Sequence, residues 1–165
     1  LVSLGHEKIA HIAGTSKIRS GMIRRDAFIT SIKKYLPEQT EHLIFEGDFR
    51  FESGRSAVSE ILELPELPTA LVVANDLMAL GAMQEFKANG IKIPQDISVV
   101  GFDDIAFASL SEPALTTVCS PRVEIGRRAI EALITTIKMP DQQGIEIKIP
   151  TYLIVRESTA PPKKK

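Results

Sequence analysis

Four short apolar runs rich in β-branched residues punctuate the chain, at 9–13, 42–46, 70–74 and 97–102. Their starts lie roughly 30 residues apart, and amphipathic helical periodicity fills each gap. Near-continuous apolar strands alternating with such helices predict an α/β fold, a mostly parallel sheet covered on both faces in three α/β/α layers. A fifth strand is expected within 147–155, where Pro150 confines part of it to a sheet edge.

The first helix is expected over 21–36, with Phe28, Ile32 and Leu36 in one line. The second covers 53–64, turning Ala57, Val58, Ile61 and Leu62 inward. The third starts at Asp76, read as its N-cap, and stops at Asn89-Gly90. The fourth runs over 121–138. Two of the four carry surplus apolar surface. On the third, Ala79, Met83 and Phe86 share a face while Leu77, Leu80 and Gly81 fall opposite. That second face fits either a loop folded over Leu80 or a contact between subunits. On the fourth, Ile125, Ala129, Ile130, Leu133, Ile134 and Ile137 take half the circumference, and Glu124, Arg127, Arg128, Glu131 and Lys138 the other. Burying each Ile or Leu is worth roughly 1.5–3 kcal/mol, so a cover is expected from its own lobe, a neighbouring chain or N-terminal structure.

Composition narrows the function. A chain of 165 residues with 44% hydrophobic and 25% charged positions is one ordinary globular domain by default. Twenty Lys+Arg against 21 Asp+Glu leave a net charge of -1, so the basic footprint that grips nucleic-acid phosphates is missing. A single cysteine, Cys119, excludes an internal disulfide and a cysteine metal cluster. No run approaches the ~18 apolar residues that would span a membrane, and the N-terminus does not read as a secretory signal. It begins mid-pattern, as a piece of a longer protein would. A nucleophile elbow, a phosphate-cradling loop and an H-E-x-x-H helix are all missing, which argues against an enzyme. His6 and His11 point to opposite strand faces and read as surface or capping residues, so no metal site is expected. Asp103 and Asp104 are adjacent, their side chains diverge, and they make a poor acid/base dyad. Residues 160–165 read as a solvated end.

Polarity recurs at the carboxyl ends of the predicted strands. The second ends in Gly47-Asp48-Phe49, the third in Asn75-Asp76 and the fourth in Asp103-Asp104. Open parallel sheets bind ligands just beyond those ends. Phe49 offers a flat apolar plate, and Asn75 and Asp103 can hydrogen-bond hydroxyls or ring nitrogens. Asp76 and Asp104 are read as caps of helices or turns.

These residues carry a resemblance. The segment 74–82, ANDLMALGA, looks like the "AND-x-MALGA" signature of lactose-repressor/galactose-repressor (LacI/GalR) transcription regulators. PQDISVVGFDDI at 94–105 is similar to their "P-x-D-(I/V)-S-V-V-G-F-D-D" segment, and LTTV at 115–118 with Pro121, Glu124 and Gly126 to "LTTV-x-x-P-x-x-E-x-G". LGHEKIA at 4–10, Gly47 to Gly54 and LIVRES at 153–158 fit as well. The match runs in order over nearly the whole chain.

The resemblance implies the C-terminal lobe of a two-lobed, periplasmic-binding-protein-like effector domain. It divides the chain into that lobe at 1–118, a crossover strand and helix at 119–140, a returning strand at 141–158 and a flexible tail at 159–165. It further implies a small sugar-like or nucleobase-like effector, no cofactor, a homodimer in the cytoplasm, and operator DNA held only by a headpiece outside this chain. Arg24 matches the effector-gripping arginine of the family's "R-x-x-G-F", with Ala27 in place of its glycine. Phe49 corresponds to the stacking aromatic, Asn75 and Asp103 to the polar clamps, and Ser20 to a contact in the loop before the first helix. Ile18 in that loop is apolar where some members are polar. Dimerisation is implied through Leu77, Leu80 and, after Asp104, Leu110. Two other readings share the fold: a sugar-binding protein of a transport system, and a regulator controlled by a partner protein.

Overall fold

The computed structural model describes residues 1–39, 41, 43–139 and 145–163. In chain order the elements are β1 (Ile9–Ile12), α1 (Arg19–Tyr35), β2 (Ile44–Phe45), α2 (Phe51–Leu62), β3 (Ala70–Val73), α3 (Asp76–Ala88), β4 (Ser98–Asp103), α4 (Ala106–Leu110), β5 (Thr116–Cys119), α5 (Arg122–Lys138) and β6 (Tyr152–Ile154). They build one sheet in the order β2-β1-β3-β4-β5-β6, parallel except for the β5–β6 pair.

Strand alternation sorts side chains to two faces. Ala10, Ile12, Leu71, Val73 and Val99 join α2 and α3 in the main core around Phe86, Met78 and Ile61. Ile9 and Ala70 face the other way, against Phe28 and Ile32 of α1. The three layers follow directly. On α3 the second partner is α2: a Cβ on Gly81 would lie 2.1 Å from the Phe51 carbonyl oxygen, so only glycine lets the helices meet there. Leu77 stays 40% exposed, and Leu80 is half-buried.

Several expectations need correction. The second strand is only Ile44–Phe45, and His42, its expected start, lies outside the described residues. Strand β5 sits between β4 and the C-terminal strand, and the apolar pattern hid it because Thr116 and Thr117 open it. Both threonines are buried, and their hydroxyls bond Thr159, the Arg156 amide and Asp76 instead of water. Of 147–155, only Tyr152–Ile154 forms a strand, an exposed edge as Pro150 suggested. The short helix α4 was not anticipated.

His6 and His11 are not surface residues, as each is 1% exposed. Imidazole has the size of a core side chain, and each ring finds polar partners inside. His6 bridges the Thr69 hydroxyl (3.0 Å) and the Ala160 carbonyl (2.9 Å). His11 donates from Nδ1 to the Val72 carbonyl at 2.9 Å and stacks on Phe28 with 4.8 Å between centroids. The expected tail is also tied down over its described part. The Ala160 amide donates to Ser98 Oγ, its carbonyl accepts from Ser98 and His6, and Lys163 pairs with Asp96.

Helix α5 forms as predicted but no cover for it is found among the described residues. It buries no side chain, leaving Leu133 54% and Ile137 70% exposed. Its start is tethered where Arg122 donates to the Asp104 carbonyl, and Glu124, Arg127, Arg128 and Glu131 pair along its polar side. No described helix is long and apolar enough to cross a membrane.

Candidate functional site

The carboxyl ends of β1, β3 and β4 and the loop after β2 meet at one edge of the sheet. Three non-glycine residues with positive φ lie in these segments: Phe49 (70°), Asp103 (117°) and Asp104 (56°). Such backbone costs on the order of 1–3 kcal/mol per residue and clusters at ligand clamps.

Phe49 is held by a wound turn. The Asp48 carboxylate accepts from the Arg50 amide (2.9 Å), the Asp48 amide donates to Ser53 Oγ (3.1 Å), and that hydroxyl donates to the Arg50 carbonyl (2.9 Å). The turn lays the Phe49 ring flat on the backbone of Gly14, where an added Cβ would meet Cζ at 2.0 Å. Any larger residue at 14 would displace the plate.

Asn75 ties the aromatic loop to α3. Its Oδ1 accepts from the Met78 amide at 3.0 Å, and its Nδ2 donates to the Phe49 carbonyl at 2.9 Å. Asn75, not Asp76, is therefore the N-cap of α3. These two bonds use one of the amide group's two N–H donors and one of its two oxygen lone pairs.

Arg24 reaches across from α1. It donates to the Ala74 carbonyl, pairs with Asp103 Oδ1 at 3.4 Å, and lies 3.8 Å above the Phe102 ring. The two charged side chains are 23% and 32% exposed, poised between solvent and protein. Burial pushes the Asp103 carboxyl above its ordinary value, Arg24 opposes that shift, and the nearby Asp76 adds to it. Phe102 went unnoticed in the sequence because it reads as one more apolar strand residue; its place beside Asp103 is the only hint.

The remaining expectations divide. Arg24, Phe49, Asn75 and Asp103 all lie at this edge. Ser20 does not lie in the loop before α1 but is the helix's second residue, one turn before Arg24; Ile18 is the N-cap and 49% exposed. Asp104 is no simple cap, since its carboxylate pairs with Arg156 at 2.7 Å and fastens the end of β6 to the turn. Chemically the edge offers a guanidinium, two aromatic faces, an amide and a carboxylate. No group of three metal-ligating side chains occurs among the described residues.

A separate apolar surface surrounds Leu80. Leu77, Leu80, Phe51, Phe107 and Leu110 line a shallow depression of about 310 Å³, with Phe107 66% and Leu110 76% exposed. Leu80 and Ser111 also border a larger groove of about 990 Å³ beside the 90–95 loop.

Residues 1–159 match the family model described as a periplasmic binding protein-like domain. The HTH-type transcriptional repressor CytR of Escherichia coli (strain K12) is 35% identical over 159 residues, covering 96% of this chain and 47% of the relative. A transcriptional regulator CelR–cellobiose complex superposes with a TM-score of 0.86 at 33% identity, over 96% of this chain and 48% of that one. A lac repressor dimer bound to operator and the anti-inducer ONPF gives 0.87 at 32% identity, over 97% and 55%. The chain spans about half the length of the curated relatives it matches.

Proposed function

Since the chain belongs to the periplasmic-binding-protein-like domain family, in the form that LacI-type regulators carry, we propose that it is the C-terminal half of such a regulator's effector domain. It binds one side of a small sugar-like or nucleobase-like effector and catalyses no reaction. The supporting observation is the edge at which Arg24, Asp103, Asn75 and Phe49 meet, with Phe49 and Asp103 on strained backbone. The other side of the cleft belongs to a second lobe, against which the segment 119–140 packs. An effector that prefers one arrangement of the two lobes shifts the population toward it and so controls a DNA-binding headpiece in the cytoplasm. A coupling of about 1–3 kcal/mol suffices for such control.

The test is a ligand screen by thermal shift on a protein that carries both lobes, since ligand binding to the native state raises the transition. Asp103→Asn removes a charged acceptor and is expected to weaken the effector found by about 10- to 150-fold, equivalent to 1.5–3 kcal/mol. Phe49→Ala weakens it further and leaves the fold intact. Unchanged affinity in the double variant sinks this reading.

The Leu77, Leu80 and Leu110 surface supports a homodimer through an isologous contact, with Phe107 as an anchor the sequence did not offer. Leu80→Arg places a charge at its centre and is expected to shift the species seen by light scattering to monomer. A variant that remains dimeric rules this surface out.

A further inference from the structure

Asp76 is the one carboxylate at the edge that no ligand can reach. It opens α3 and is fully buried, at 0% exposure. Because Asn75 caps the helix, the Asp76 side chain is free to turn away from it, and both oxygens are used elsewhere. Oδ1 accepts from the Thr117 hydroxyl of β5 at 2.5 Å. Oδ2 accepts from the Ile105 amide at 2.9 Å. Ile105 directly follows Asp103 and Asp104, the two consecutive residues forced to positive φ.

The strand beneath is shaped for this carboxylate. A Cβ on Gly101, in the middle of β4, would stand 2.2 Å from Asp76 Oδ1. Glycine inside a strand weakens it and marks a close approach. Here the approaching group is the Asp76 carboxylate. Burial of that charge is unfavourable unless its lone pairs are satisfied, and the two hydrogen bonds and the positive end of α3 satisfy them.

We propose that Asp76 is the positioning residue of the edge: by gripping the Ile105 amide it locks the Asp103–Asp104 turn left-handed and aims the Asp103 carboxylate at Arg24 and the ligand. The inference rests on the effector-site reading for what Asp103 does, but the lock itself exists without ligand.

Three variants and ligand-free NMR test it. In the unaltered protein the Ile105 amide is expected to exchange slowly with solvent, the Arg24 Nε–H signal to carry a ring-current shift from Phe102, and the Asp103 backbone coupling to report its positive φ. Asp76→Ala is expected to speed Ile105 exchange at least about tenfold and to erase the Arg24 and Asp103 signatures together. Asp76→Asn rescues all three, because its carbonyl still accepts from Ile105 while its amide donates to the Thr117 hydroxyl. Thr117→Val lowers the melting temperature and leaves the Arg24 and Asp103 signatures in place, which separates the lock from mere stability.

A folded Asp76→Ala with unchanged Arg24 and Asp103 signals overturns the proposal. Should that variant not fold, a fast-exchanging Ile105 amide in the unaltered protein, or a folded Asp76→Asn without the Arg24 signature, overturns it equally. Failure of the effector reading looks different: the lock is seen, and the effector is indifferent to Phe49→Ala.

Discussion

Acidification from pH 7.5 to 4 is expected to remove about 3 kcal/mol of folding stability through His11 alone, and His11→Leu is expected to abolish that part of the pH dependence. Burial pushes the His11 imidazole down from 6.5 to about 4; the Val72 hydrogen bond opposes the shift and the Arg25 charge adds to it. Between those two pH values the unfolded chain binds a proton that the native chain refuses. Stability is therefore fully present above pH 6.5, falls as pH drops through the window, and loses nothing further from this group below about 4. The cause is geometric. Nδ1 already donates to Val72, and the ring lies stacked on Phe28, so a proton on the orphaned, buried Nε2 finds no acceptor. Urea unfolding at pH 7.5, 6 and 5, read as the difference between the two proteins, measures the effect. His11→Leu costs about 1 kcal/mol at neutral pH by leaving the Val72 carbonyl without its donor, but its curve is flatter. A shallow slope remains, because burial also lowers the His6 imidazole. Parallel curves for the two proteins contradict the account.

His11 also shows where sequence reading stops. The run at 9–13 was legible as a strand because four of its five letters are apolar, yet the polar letter is as buried as its neighbours. Periodicity assigns a face; it cannot say that a ring nitrogen will find a carbonyl across the sheet. Thr116 and Thr117 are the converse case, since their hydroxyls kept a buried strand out of the apolar pattern. Both misreadings have one origin: polar groups that are satisfied internally score as surface.

The candidate site was legible for a different reason. Polar residues at the ends of apolar strands are conspicuous against the run before them, so Asp48 with the neighbouring Phe49, Asn75 and Asp103 stood out, and the resemblance added Arg24. What the strand pattern could not rank was the acid that closes each pair, Asp76 after Asn75 and Asp104 after Asp103. Asp76 and Asp104 look alike in sequence, each next to a residue of the edge. In the fold one grips a backbone amide from inside and the other pairs with Arg156 at the surface of the turn. Those roles depend on β5 and on the chain after β6, which meet β4 only through tertiary pairing.

The same dependence on distant chain sets the expected behaviour of α5. Leu133→Asp and Ile137→Asp are each expected to change the stability of the present chain by no more than about 0.5 kcal/mol, because both side chains already face solvent. In a protein carrying both proposed lobes, each substitution is expected to cost about 3 kcal/mol or more, through lost burial and a charge pressed against an apolar surface. The argument turns on the pattern of exposure. Ile130, Leu133, Ile134 and Ile137 are between 46% and 70% exposed on one side of a helix whose other side is laced with paired charges. Patches of that kind are rare on proteins that act alone and mark a contact surface. Urea unfolding of the four combinations, with and without the second lobe and with and without the charge, isolates the coupling. Equal effects in both contexts would mean that the stripe has no partner in the longer protein, and that the cleft proposed above closes by some other surface.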